Sequence, residues 1–166
     1  MESVHKIEKT MEGWFKDVPH LPAGFTKWLA ENAWWLTVIG VVFGVFGLFG
    51  TLTALTVGSV VLTAVGGPAL GGLVFFGSLL SLIVTGITLV FEAMAISPLK
   101  ASAKRGWDLV FLASLVGGAG GAISALLSVN IGGLVVTAVA FAISMYVIFE
   151  VRKYFSVKKA EEKKSA

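Results

Sequence analysis

Residues 32–91 read NAWWLTVIGVVFGVFGLFGTLTALTVGSVVLTAVGGPALGGLVFFGSLLSLIVTGITLVF, a stretch without a single Asp, Glu, Lys or Arg. An α-helix rises about 1.5 Å per residue, so about 20 apolar residues cross a hydrocarbon core about 30 Å thick. The stretch therefore holds two crossings, with roughly 20 residues to spare. A second uncharged run of 41 residues, between Asp108 and Glu150, holds two more crossings joined by a very tight turn. Four crossings is the economical count. The expected fold is all-α: an integral membrane four-helix bundle built from two hairpins.

Composition agrees with this reading. Of 166 residues, 56% are hydrophobic and 14% charged, and the mean hydropathy is +0.88. A soluble domain carries about 25% charged residues because most of its surface faces water. An ordinary soluble enzyme domain and a disordered tail are both excluded on that ground. The net charge is only +3 and the basic residues fall in short blocks, which argues against nucleic acid as a partner. Cysteine is absent, so no disulfide framework or thiol chemistry is available. The two histidines, His5 and His20, are far from other ligand types in sequence. Each is expected to be a lone surface residue.

The basic residues orient the crossings. Lys6, Lys9, Lys16 and Lys27 precede the first, and Lys100, Lys104 and Arg105 stand between the two uncharged runs. Arg152, Lys153, Lys158, Lys159, Lys163 and Lys164 follow the last. With four crossings all thirteen fall on one side, and the positive-inside tendency makes that side the cytoplasm. Three or five crossings would put a basic block outside. The first 30 residues lack the apolar core of a secretory signal and include Glu2, Glu8, Glu12 and Asp17. An uncleaved inner (plasma) membrane protein with both termini cytoplasmic is therefore expected. Trp14, Trp28, Trp34, Trp35 and Trp107 all fall near the inner interface, where amphipathic rings are favoured.

Along the chain, residues 1–32 form the expected cytoplasmic or interfacial segment. Within it, 2–16 read as an amphipathic helix with Val4, Ile7, Met11 and Trp14 on one face. It lies in the inner headgroup layer or packs on the protein's own cytoplasmic face; the first reading is preferred. Asp17-Val-Pro-His-Leu-Pro22 breaks it. The membrane domain spans 33–152, with crossings near 33–50, 73–96, 107–127 and 131–152. Residues 51–72 are the excess, ending in Gly66-Gly-Pro-Ala-Leu-Gly-Gly72. They are expected to form an extracytoplasmic interfacial or re-entrant piece, the competing reading being that the first two crossings are long and tilted. Ser97-Pro98 ends the second crossing, and 97–106 is a basic cytoplasmic loop. Residues 153–166 form a basic cytoplasmic tail.

Small residues recur at alternating spacings of 3 and 4 inside every crossing. The series are Thr37, Gly40, Gly44, Gly47 and Thr51; Ser78, Ser81, Thr85 and Thr88, ending at Glu92; Ser114, Gly117, Gly121, Ser124 and Ser128; and Asn130, Gly133, Thr137, Ala140 and Ser144. That spacing is the seam of a left-handed bundle. Hydrophobicity cannot drive helices together in lipid, so close approach of small residues must do so. Helix packing is the expected role of Gly40, Gly44, Gly47, Ser81, Thr85, Gly117, Gly121, Ser124, Gly133 and Thr137. The other reading is a hydroxyl-lined path for water or a small neutral solute. Glu92 is a candidate functional carboxylate because it stands in phase with a stripe. Ion pairing with Lys100, Lys104 or Arg105 is nonetheless expected for it, and with Arg152 or Lys153 for Glu150.

No catalytic constellation, metal cluster or phosphate loop is legible in the sequence, so neither an enzyme nor a cofactor is expected. Lys104-Arg-Gly-Trp-Asp108 within 95–111, with Glu12-Gly-Trp-Phe15 and Trp28-Leu-Ala-Glu-Asn32, resembles the corresponding parts of uncharacterised small four-span membrane proteins of ultrasmall candidate-phylum bacteria. The resemblance implies a bacterial inner-membrane protein and carries no site residues.

The expected role is structural or interaction-based: a self-associating protein, or a small subunit joined to a membrane protein partner. The basic segments would engage anionic lipid headgroups, which attract nearby cations by about 1 kcal/mol per charge. The alternatives are a passive channel or carrier for a small uncharged solute and a holin-like membrane-lesion protein. A cysteine introduced at Ser102 should react only with reagents that reach the cytoplasm; labelling of intact cells by an impermeant maleimide would overturn the orientation.

Overall fold

The computed structural model describes residues 2–15 and 17–155, with the side chains of 2–5 outside the description. The expectations for Val4 and for the tail beyond Phe155 lie outside the described residues. Among the described residues every regular element is helical. They are α1 (Glu2–Trp14), α2 (Ala23–Thr53), a π turn (Ala54–Gly58), α3 (Ser59–Lys100), α4 (Lys104–Leu127), α5 (Ile131–Val151) and a 3₁₀ turn (Arg152–Tyr154). Three helical runs are long and apolar enough to cross a membrane: Ala23–Lys100, Lys104–Leu127 and Ile131–Tyr154. Only 11% of the most apolar window of the first and third runs is buried inside the protein. Phe43, Phe46, Phe49, Val60 and Val65 all stand outward. Such surfaces fit hydrocarbon and not water.

These runs are helical despite their glycines and β-branched residues because an apolar medium offers the backbone no other hydrogen-bond partner. The hydroxyls are satisfied in the same local way. Thr37 donates to Ala33 O (2.8 Å), Thr51 to Gly47 O (3.0 Å) and Thr63 to Ser59 O (2.7 Å). Ser124 Oγ of α4 instead donates across to Gly77 O of α3, at 2.5 Å.

The first run is interrupted once. Gly67 has φ 83° and ψ 169°, a conformation open to glycine almost alone. Pro68 follows it, and proline is tolerated in the first turn of a helix because its missing amide would be unbonded there. The chain doubles back at this point. Gly71 is notched against Thr63 and the Ser59 carbonyl, Gly44 against Leu89, and Gly40 against Glu92. Residues 51–72 are helical on both sides of Gly67. They are the helical ends of two long arms, with all departure from helical geometry confined to Gly67. Val, Thr and Gly in this stretch suggested irregular structure, but an uncharged backbone without water bonds itself.

The return contacts run antiparallel throughout. On α4, Gly106 abuts the backbone of Pro98 and Leu99, Gly117 faces Thr88, and Gly120 faces Val84. Gly118 faces Phe141 of α5 and Gly121 faces Thr137. Contact between α2 and α5 is slight. One correction concerns the loop 97–106. Helix α3 runs through Pro98 to Lys100, and only Ala101–Ala103 link it to α4. Pro98 is accommodated one turn from the helix end, where its carbonyl accepts from Ala103 N at 2.9 Å and Ser102 turns the chain with φ 54°. At the far end Val129 (φ 52°) makes the corresponding turn, and Asn130 Oδ1 caps α5 by accepting from Gly133 N at 2.8 Å.

Replacing Gly67 by Ala should lower stability by about 1–3 kcal/mol. Gly72→Ala, where an added methyl meets nothing within 4 Å, should not. Thermal unfolding of the two variants in detergent checks the contrast, and equal midpoints would count against a strained reversal.

Candidate functional site

The apolar core lies at one end of the molecule, here called the basic end. Leu99, Trp107, Phe111, Met145, Ile148 and Phe155 are buried there together. Trp107 is its centre. The ring stacks on Phe111 at 5.2 Å, its Nε1 donates to Ile148 O at 2.7 Å, and the Lys104 ammonium stands 4.7 Å from the ring centre.

Helix α1 closes this end. Glu8 is 3% exposed and contacts Arg152 at 2.6 Å and Lys104 at 3.4 Å. Arg152 also pairs with Glu12, and Lys104 with Asp108 at 2.8 Å. Below them Phe15 stacks on Phe149 at 5.4 Å, and Tyr146 OH donates to Pro19 O at 2.5 Å. The packing of α1 on the protein itself, second choice in the sequence, is what the structure contains. The inward face is also rotated from the expected one: Glu8 and Met11 are buried, whereas Ile7 and Trp14 are 43% and 68% exposed. Burial of Glu8 follows from the two cations waiting for it, a partnership no hydrophobic pattern reveals.

The ion pairs differ from expectation. Glu150 meets neither Arg152 nor Lys153 but His20, with Nδ1 to Oε1 at 2.6 Å. His20 is therefore not a lone surface residue. Lys104 is taken by Glu8 and Asp108, Lys100 stands 5.2 Å from the Trp34 ring centre, and Arg105 is exposed. Among the described residues no cation or hydrogen-bond donor reaches Glu92. Its carboxylate points across to α2, where a methyl on Gly40 would come 3.9 Å from Oε2.

Three partly open hollows lie one after another from this carboxylate toward the far end. The first, about 570 Å³, is a groove between α2 and α5 with Leu36, Leu99, Val110, Ile143 and Val147 on its walls and Glu92 at its inner side. The second, about 330 Å³, has Thr88, Glu92, Ser114, Gly117, Thr137 and Ser144 around it. It shares Glu92, Ala140 and Ser144 with the first. The third, about 440 Å³, lies toward the far end among Gly47, Thr51, Ser81, Gly121, Ser124 and Thr137. It shares Thr137 with the second.

The four small-residue stripes thus converge, but in large part they surround space. Gly44, Gly117 and Gly121 sit against neighbouring side chains, whereas Gly47 has nothing within 4 Å of an added methyl. Gly133 is occupied by its own capping turn with Asn130. Thr85 accepts at its carbonyl from Thr88 Oγ1 (2.9 Å) and stands between the second and third cavities along α3. Among the described residues no group of three His, Asp or Glu side chains could hold a metal ion. Comparison with protein-family models, with curated proteins and with solved structures finds no match.

Glu8→Ala removes the buried partner of two cations that are themselves about one-third exposed. The expected loss is about 2 kcal/mol, the scale of hydrogen bonds to charged groups. Amide exchange across residues 6–14 should accelerate; unchanged protection of α1 would show that Met11 and Phe15 suffice to hold it.

Proposed function

We propose that the chain crosses a bacterial inner membrane four times as a bundle of two hairpins, α2 with α3 and α4 with α5, and that its cavities hold a small solute in passage. The four crossings, with the basic end in the cytoplasm, are supported by the placement of all thirteen Lys and Arg residues. They are supported also by the length of the first run. Its 78 residues double back at Gly67, and each arm exceeds the roughly 20 residues that a bilayer requires. The resemblance to small bacterial membrane proteins points to the same location.

One observation carries the role: the stripes surround adjoining hollows, and the second and third are lined by hydroxyls and by backbone at small residues. Packing alone would bring the stripes together and leave no such space. Hydroxyls that already donate to their own helix still have lone pairs to offer a solute. The cavities favour a passive carrier or channel over the purely structural role that composition suggested. A subunit role is the second reading, favoured by the slight contact between α2 and α5. A groove left open there has room for a helix of a second copy or of another membrane protein. The outward flank of α1, with Ile7 and Trp14, would then rest on the headgroup layer, assisted by neighbouring cations.

Reconstituted vesicles should equilibrate glycerol or urea faster than protein-free vesicles in stopped-flow light scattering. Gly121→Leu, projecting toward Thr137 at the junction of two cavities, should slow this by about tenfold, a barrier increase of about 1.4 kcal/mol. A rate equal to that of empty vesicles, with protein correctly inserted, would remove the passage reading.

A further inference from the structure

The groove between α2 and α5 contains one feature that a path for neutral solutes does not explain. Its walls are largely apolar, yet a carboxylate stands at its inner side without a cation or donor among the described residues. We propose that this groove is a binding site for a lipophilic organic cation, whose positive centre sits at Glu92 and whose apolar groups fill the space beside Leu36, Val110, Ile143 and Val147. The proposal rests on the reading of the cavities as solute space and names the chemical class that the first of them selects.

Four observations support it. A carboxylate in apolar surroundings is unfavourable until a counter-charge arrives, so a cation that enters brings what the site lacks. The protein's own cations do not supply it, because Lys104 and Arg152 are committed to Glu8, Glu12 and Asp108, and Lys100 stands over Trp34. Lys100 also lies two turns along α3 from Glu92, about 12 Å by helical rise. The cavity volume, about 570 Å³, falls within the range of about 300–1,000 Å³ typical of small-molecule sites.

The same features exclude competing occupants. A bare metal cation needs several oxygen ligands, and Glu92 provides a single carboxylate with no second acidic or histidine side chain beside it. An anionic lipid with its headgroup at Lys100 would press its tail against the carboxylate. Gly40 completes the site from α2. Its backbone faces the carboxylate, and a methyl built there would touch Oε2 at ordinary contact distance, 3.9 Å.

Equilibrium binding of radiolabelled tetraphenylphosphonium to the full chain in lipid nanodiscs tests this, with empty nanodiscs as the partition background. Neutral triphenylphosphine oxide, of comparable girth, is the matched probe. Saturable binding of the phosphonium, tighter than that of the oxide and weakened about tenfold by Glu92→Gln, is the expected result. Glu31→Gln, which alters an exposed carboxylate paired only with Lys27 along α2, should bind as the native chain does. Equal binding of the cation and the oxide by the native chain would overturn the charge assignment and leave the cavity reading standing. Binding of neither probe, in protein that retains its helical signal and still passes glycerol, would overturn the groove as a ligand site while sparing the passage. Binding of neither together with no glycerol flux would remove both.

Discussion

The structure depends on a buried ionic contact between its first helix and its last. Glu8 is held by Arg152 and Lys104, and both cations have second carboxylate partners in Glu12 and Asp108. A carboxylate as deeply buried as Glu8 needs partners of this kind to replace its hydration. The arrangement joins α1, the start of α4 and the end of α5 into one closed layer around Trp107. Beyond it the helices have no comparable core. Their buried positions are few, small and scattered, and most of their large side chains face outward. The molecule is thus tightly held at the basic end and only loosely filled along its length.

That gradient explains where the cavities occur. Helices that meet through Gly and Ser approach closely only where a neighbour is shaped to receive them, as Ser124 and Gly77 receive one another. Elsewhere a missing side chain is simply missing volume. Large residues from the neighbouring helix fill some of it, as Leu89 does at Gly44 and Val84 at Gly120. Where both helices present small residues, nothing fills the space, and the hydroxyls of Ser81, Ser114 and Thr137 are left beside it. Glu92 stands where the apolar groove gives way to this polar interior. The transition coincides with the switch of Glu92's neighbours from leucine and valine to serine and threonine.

Helical content, length and apolarity sufficient to cross a membrane, and the approximate ends of α4 and α5 were legible because a run free of charge, or its bounding residues, states them directly. The tight turn at Ser128-Val-Asn130 was legible for the same reason. The length of the first two arms was not, because glycine and threonine in 51–72 resemble loop composition, and only the absence of water makes them helical. Pairings across the chain were beyond reach. Glu150 finds His20 and Glu8 finds Arg152 over separations of more than a hundred residues, and no local pattern carries that information. Local rules predicted nearer partners for Glu92 and Glu150; both predictions failed, with Lys104 and Arg152 engaged by Glu8, Glu12 and Asp108 and Glu150 taken by His20. The stripes were visible as a repeat, but whether they would touch or enclose space depended on the partner face of each neighbouring helix.

The π turn at Ala54–Gly58 bears on how the upper part of the first arm is aimed. A widened turn takes up one extra residue within an otherwise continuous helix. The turn thereby absorbs the rotation of about 100° that one more residue in a regular helix would impose on everything beyond it. Thr63 and Ser59 are kept facing the notch at Gly71, near the reversal of the two arms. A shortening by one residue within 54–58 would close the widened turn to a regular one and leave both flanks in phase. The same shortening elsewhere along the arm would act as a phase error, misaligning the crest of the molecule against the segments below.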